Sequence, residues 1–209
     1  MSVVLYDFWR SSAAYRVRIA LNLKEVAYRS VAVDLTQGEQ AAQEYRAINP
    51  QGMVPALAID GLLLCQSLAI IDYLDAQFPL PAMVSSDPAT RSRTLAQALV
   101  IAADIHPIAN LRILNYLRSE LNVPEDGVTR WIRRWIAEGF AALEIQAPQF
   151  GLFGGGAPNL ADVCLVPQMY NARRFGLSLD AFPQLVRIDE DLRQIPAIAA
   201  AAPEAVKPA

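Results

Sequence analysis

Ser11 and Ser12 stand at the head of a stretch, AAYRVRIALNLK, in which Ala13, Val17, Ala20 and Lys24 recur at helical spacing. A serine at such a start caps the helix by accepting a hydrogen bond from an amide that has no intrahelical partner. The same place can also do chemistry. Exposed amides and aligned peptide dipoles make a helix N-terminus positive, so a thiolate held there is stabilised and its pKa lowered. A serine hydroxyl adds one more donor, and both readings stand on the local sequence. Ala13 and Ala14, where a reactive side chain could sit, offer only methyl groups and keep the helix start well packed and strongly helical.

Two further stretches could serve a ligand. In MVPAL, Met53 to Leu57, a proline opens a short strand. As an ordinary trans residue it does no more than that; as a cis residue it turns the backbone so that Val54 offers its N–H and C=O to an extended ligand. In CQSLAIIDYL, Gln66 or Ser67 begins a helix and either caps it or leaves amides suited to a carboxylate. Further along, His106 and Asn110 are four residues apart, so on one helix they share a face, with Arg112 on another. Arg173 and Arg174 close a helix that Asn159 caps, with Asp162 three residues on and Gly176 as terminator. Cations there complement the helix dipole. The glycine-rich run GLFGGG, Gly151 to Gly156, lacks the Lys-Ser/Thr and the preceding strand of a phosphate loop and reads as an interhelix loop.

The elements that position these residues follow two patterns. Up to Phe78 the period changes every ten residues or so: VVLYDF strand, the helix from Ser12, AYRSVAV strand, EQAAQEYRAI helix, VPALAI and LLLC strands around Asp60-Gly61, and QSLAIIDYLDAQF helix. The sum is β-α-β-α-β-β-α, assigned to a first domain at residues 1–80. Pro79, Pro81 and Pro88 punctuate a linker. Long helical stretches follow at roughly 88–119, 126–146, 159–175 and 184–194. They form an expected all-α second domain at residues 88–209. Pro107 and Pro167 fall inside two of these helices, where they should kink or interrupt them.

Composition excludes several classes of function. A net charge of -3 argues against a general nucleic-acid binder. The one dense basic group, Arg130, Arg133 and Arg134, alternates with Trp131 and Trp135 as on a solvated or partner-facing helix. His106 is the single histidine, so no His/Cys metal site is expected, and Cys65 and Cys164 read as buried free thiols. No apolar run is expected to reach the eighteen or so residues of a bilayer span, and Met1 to Asp7 lacks the features of a signal peptide, which points to the cytoplasm.

The first half resembles the thioredoxin-like domain of glutathione transferases. SSAAYRVRIAL is similar to the zeta-class signature S-S-C-x-W-R-V-R-I-A-L. NPQGMVPAL, CQSLAIIDYL, DIHPIANLRIL and LADVCLVPQMYNARRF are similar to the corresponding zeta-class segments, so the likeness spans nearly the whole chain. The class includes maleylacetoacetate and maleylpyruvate isomerases. The resemblance implies glutathione as cofactor, with Ser11 facing its sulfur and Ser12, Ala13, Ala14, Tyr15 and Arg16 completing the helix-start site. It implies that Gln40, Val54, Pro55, Gln66 and Ser67 hold the tripeptide, that His106, Asn110, Leu111 and Arg112 add contacts from the second domain, and that Arg174 receives a substrate carboxylate; Arg10 is a second candidate for that task. A homodimer is implied too.

Two departures matter: Ala13 stands where the family has cysteine, and Tyr15 where it has tryptophan. Chemistry through a protein thiol at position 13 is thereby lost. The expected activity is glutathione-dependent cis–trans isomerisation of a maleyl-type acid in aromatic catabolism, from homogentisate or gentisate. General transfer or dehalogenation of α-halo acids, and a non-catalytic binding module, are the alternatives.

Overall fold

The computed structural model describes residues 2–208. The chain divides into two compact units. One runs up to Ala82 and resumes from Gln194 onward; the other is Met83–Arg193.

The first unit follows the expected element order. Strand β1 (Val4–Asp7) leads to helix α1 (Ser12–Leu23) and strand β2 (Arg29–Ala32). A 3₁₀ turn (Glu39–Ala41) and helix α2 (Gln43–Ile48) precede strands β3 (Ala56–Ile59) and β4 (Leu62–Cys65) and helix α3 (Ser67–Gln77). The sheet order is β2-β1-β3-β4, with β1 parallel to β2 and antiparallel to β3. β3 and β4 form a hairpin whose two turn residues, Asp60 and Gly61, have φ of 53° and 76°. Positive φ at both places is what a tight hairpin demands, and Asp-Gly supplies it cheaply.

Helix α1 is buried from Ala14 through Leu21, including Arg16 and Arg18, so its charges need internal partners. Arg18 Nη1 lies 2.7 Å from both Asp7 carboxylate oxygens, Nη2 donates to the Trp9 carbonyl at 2.9 Å, and Nε donates to the Ala201 carbonyl at 3.0 Å. Asn22 likewise donates to the Ala197 carbonyl at 2.9 Å. A second domain was expected over residues 88–209; the compact second unit here ends at Arg193. The alanine-rich tail, written in α9 (Pro196–Ala199) and α10 (Pro203–Val206), belongs to the first unit because it satisfies the buried polar groups of α1 and buries Ile198 and Ala201.

In the second unit the helix expected over 88–119 is broken. α4 (Pro88–Leu99) passes into a π-helical stretch (Val100–Ile105), a 3₁₀ turn (Pro107–Ala109) and α5 (Leu111–Ser119). Pro107 lacks an N–H and clashes with the preceding turn, which widens. α6 (Glu125–Gln146), α7 (Leu160–Arg174) and α8 (Pro183–Arg193) complete the unit. Pro167 does not interrupt α7, whose residues Leu160 to Met169 are all buried; packing on every side outweighs one missing hydrogen bond. By length and composition the 32 residues Pro88–Ser119, whose most apolar 18-residue stretch has a mean hydropathy of 1.2, would suffice to cross a bilayer, contrary to expectation. Asp104, Pro107 and Arg112 interrupt it, and its helix type changes along its length.

Candidate active site

The approach to α1 is a tight turn in which the Ser11 N–H donates to the Phe8 carbonyl at 2.8 Å, leaving Trp9 and Arg10 at its tip. Ser11 is the N-cap, and its Oγ accepts the Ala14 N–H at 3.3 Å. The capping reading is therefore realised, and it does not compete with the other one. An oxygen that accepts still carries a proton to donate. Ser12 and Ala14 are buried behind it, Ala13 is half-buried, and buried Tyr15 carries the Arg18 guanidinium 5.3 Å from its ring centroid.

Arg16 joins the two helix starts: its Nη1 donates to Ser67 Oγ at the head of α3 across 3.3 Å. Gln66 holds the cap position of α3 but does not cap it with its side chain; its Nε2 donates instead to Gln51 Oε1 at 2.8 Å. Its φ of 68° is one a non-glycine residue adopts at a cost of about 1 kcal/mol or more. Of the two readings of this helix start, the side-chain cap is not made by Gln66, and the first amides of α3 keep no such acceptor.

The Val54-Pro55 bond is cis, as is Leu80-Pro81. Ahead of it the Met53 carbonyl accepts from Tyr45 Oη at 2.8 Å and from Asn49 Nδ2 at 2.7 Å, so the loop that presents Val54 is held from two sides. Val54 packs with Val33 and Tyr45, and Tyr6 and Phe8 pack against them. Gly52, at φ 62°, brings the loop against the 3₁₀ turn that carries Gln40: a Cβ there would lie 2.8 Å from the Gln40 carbonyl oxygen. Gln40 Oε1 is buried without a hydrogen-bond partner among the described residues, an acceptor set for a ligand donor.

Neither cysteine stands at the start of α1. Cys65 is half-buried at the end of β4, where burial pushes its thiol up, and Cys164 is buried in α7 of the other unit. Burial likewise raises the Asp7 carboxyl, against the pull of Arg18. Among the described residues no cluster of three or more His, Cys, Asp or Glu could hold a metal ion.

The remaining expected residues lie in the second unit. His106 closes the π-helical stretch, and its N–H donates to the Ile101 carbonyl at 2.9 Å. Asn110 is extended and caps α5, accepting the Ile113 N–H at 3.3 Å. The two do not share a helical face, because the 3₁₀ turn forced by Pro107 separates them. Leu111 and Arg112 are exposed in the first turn of α5.

At the end of α7, Arg173 Nη1 lies 2.7 Å from buried Asp189, which Arg193 also reaches at 3.0 Å. Arg174 is exposed and lies 4.8 Å from the Phe175 ring centroid, while Arg133 Nε donates to the Phe175 carbonyl at 2.6 Å. Arg173 is thus committed to the fold, and Arg174 is presented on an aromatic platform. The glycine-rich loop is occupied as well: Phe153 and Gly154 donate to Asp162 at 3.0 and 2.8 Å, and Asp162 with Asn159 forms the capping box of α7. A Cβ at Gly154 would lie 2.1 Å from the Ala157 carbonyl oxygen, so only glycine fits. Burial pushes Asp162 up to about 6 despite these donors.

Sequence reasoning missed the Arg18 junction, Gln51, and the tail residue Lys207, whose Nζ lies 5.4 Å from the Trp9 ring centroid. The one available signal was two arginines inside an otherwise apolar helix.

A mixed four-stranded sheet with a cis-proline loop, its first and third helices starting beside each other, defines the glutathione-transferase class of fold, and residues 5–82 match the family model for the glutathione S-transferase N-terminal domain. A maleylacetoacetate isomerase of Pseudomonas aeruginosa is 46% identical over 202 residues, covering 95% of this chain and 95% of that protein. The solved structure of a maleylpyruvate isomerase, a bacterial glutathione S-transferase in the zeta class, matches with a TM-score of 0.95 at 42% identity over 98% of both chains. That of a maleylacetoacetate isomerase from Methylobacterium extorquens, with bound malonate and glutathione, matches at 0.94 and 37% identity over 99% of this chain and 100% of that one. The chain belongs to the zeta class of the glutathione S-transferases.

Proposed function

We propose that this protein is a glutathione-dependent cis–trans isomerase of a maleyl-type keto acid, maleylacetoacetate or maleylpyruvate. The observation that carries the reading is a helix start equipped to hold a thiolate, with Ser11 as cap and donor, that has alanine at position 13 and no cysteine of its own. The residues present fit glutathione: the uncapped amides at the head of α3 suit its γ-glutamyl carboxylate, and the partnerless Gln40 Oε1 suits a donor on the tripeptide. Glutathione, when bound, supplies a thiolate that adds reversibly to the conjugated cis double bond, makes the central bond single and so lets it rotate.

The chain's own residues do the rest. Ser11 donates a hydrogen bond from its hydroxyl to the sulfur, and the N-terminus of α1 favours the negative charge. Val54 presents backbone N–H and C=O to the peptide, with Pro55 fixing the turn, while Gln66 and Ser67 place the head of α3. Arg10 and, from the second unit, Arg174 take the carboxylates and offset the charge that develops on the substrate oxygen. Ser12, Ala13, Ala14, Tyr15 and Arg16 shape the helix start, and His106, Asn110, Leu111 and Arg112 are contact residues rather than proton carriers.

The protein works in the cytoplasm as a homodimer. The most apolar part of Pro88–Ser119 is only 28% buried within its own chain, which fits cover by a second subunit.

The test is a spectrophotometric assay of both maleyl acids with and without glutathione, alongside a thiol count. Glutathione-dependent turnover with no loss of thiol is expected. Thiol consumed in step with turnover would instead establish transfer or dehalogenation, and failure to bind glutathione at millimolar concentration would leave a binding module.

A further inference from the structure

The chain has two lysines. Lys24 is buried, and its three N–H groups are used: Nζ donates to Asp75 Oδ1 at 2.8 Å, to the Phe78 carbonyl at 2.5 Å and to the Pro81 carbonyl at 3.0 Å. Lys207 is exposed, and its Nζ lies 5.4 Å from the Trp9 ring centroid. The Arg10 guanidinium lies 5.2 Å from the centroid of the same ring. The two cations are therefore no further apart than those two distances together, at the tip of the turn that ends in Ser11.

A single side chain fixes this arrangement. Arg18 donates from Nε to the Ala201 carbonyl and from Nη2 to the Trp9 carbonyl, tying the tail to the turn two residues ahead of Ser11. An indole face attracts each cation. The cations repel one another, and an anion between or beside them relieves that repulsion. A maleyl-type acid is a dianion, and Arg10 by itself offers it one positive charge at this turn.

We propose that Lys207 is a specificity-determining cation for the acid substrate: with Arg10 it flanks Trp9 and draws a substrate carboxylate to the Phe8–Ser11 turn. The inference rests on the acid-isomerase reading. Lys207→Met is expected to raise KM for the maleyl acid about three- to fivefold, the size of one exposed ionic contact. It should leave KM for glutathione and the conjugation of uncharged chlorodinitrobenzene unchanged, and Lys207→Arg should restore KM. An unchanged KM for the acid, or an equal loss with the uncharged electrophile, would overturn the inference.

A second readout needs no turnover. Reductive methylation with isotope-labelled formaldehyde keeps the lysine charge and reports Lys207, whose NMR signal is assigned by its loss in Lys207→Arg. Titrating maleate in the presence of glutathione should shift that signal saturably; no shift would overturn the inference. A shift in a protein that isomerises neither acid would retire the isomerase reading and leave the carboxylate role standing.

Discussion

Replacing Ser11 with alanine separates the two tasks placed on its hydroxyl. The structural task is the cap: Oγ accepts the Ala14 N–H at 3.3 Å, a long bond, so its loss should cost about 0.5–1 kcal/mol. In a chain of this size that lowers Tm by roughly 1 to 4 °C. The chemical task is the hydrogen bond to the bound thiolate, which as a charged acceptor is worth about 1.5–3 kcal/mol. At 1.36 kcal/mol per unit, that raises the pKa of bound glutathione by about one to two units. The thiolate fraction at neutral pH then falls by up to about ten- to a hundredfold, and kcat/KM should fall with it. Ultraviolet absorption of the thiolate, followed against pH for wild type and S11A with glutathione bound, reads the shift directly. Activity lost at pH 7 should return as pH rises, and S11T should keep the hydroxyl and most of the rate. An S11A variant with an unchanged thiol pKa, or with a rate lowered by the same factor at every pH, would refute the reasoning and leave Ser11 a cap only.

On the second unit, Arg174→Ala should raise KM for the acid at least tenfold with glutathione binding unchanged. Arg133→Ala, which removes the donor to the Phe175 carbonyl, should raise it a few-fold in the wild-type background and not at all in the Arg174→Ala background, because contacting residues couple in a double-mutant cycle. Ala13→Cys should introduce glutathione mixed-disulfide exchange, read by mass spectrometry, while isomerase turnover stays within about twofold, since the added thiol is not required. Asp162, pushed up to about 6 by burial, binds its proton more tightly folded than unfolded. Its contribution is full below the unfolded value of about 4 and is lost as pH rises through about 6, by at most about 3 kcal/mol. Urea unfolding should therefore show wild type losing stability relative to D162N over that window, and parallel curves would sink the assignment.

Much of this protein was legible in its sequence because much of it is decided within four or five residues. Asp60-Gly61 closes its hairpin through the dihedrals of those two residues; Asn159 and Asp162 cap α7 across one turn; Ser11 caps α1 by reaching Ala14. Pro107 broke its helix by local sterics, and the resulting 3₁₀ turn took His106 and Asn110 off the common face that a fixed period had given them. Pro167 did not break α7, because burial along that helix is a property of its neighbours and not of proline. Tertiary structure alone decided which distant groups meet. Gln66 turned from capping α3 to Gln51, and Arg18 found Asp7, the Trp9 carbonyl and the Ala201 carbonyl 183 residues away, drawing an alanine-rich tail into the first unit and Lys207 onto Trp9. Caps, turns and periodicity are intrinsic to a segment. The partner of a buried charge is set by whichever part of the chain the folded core brings to it.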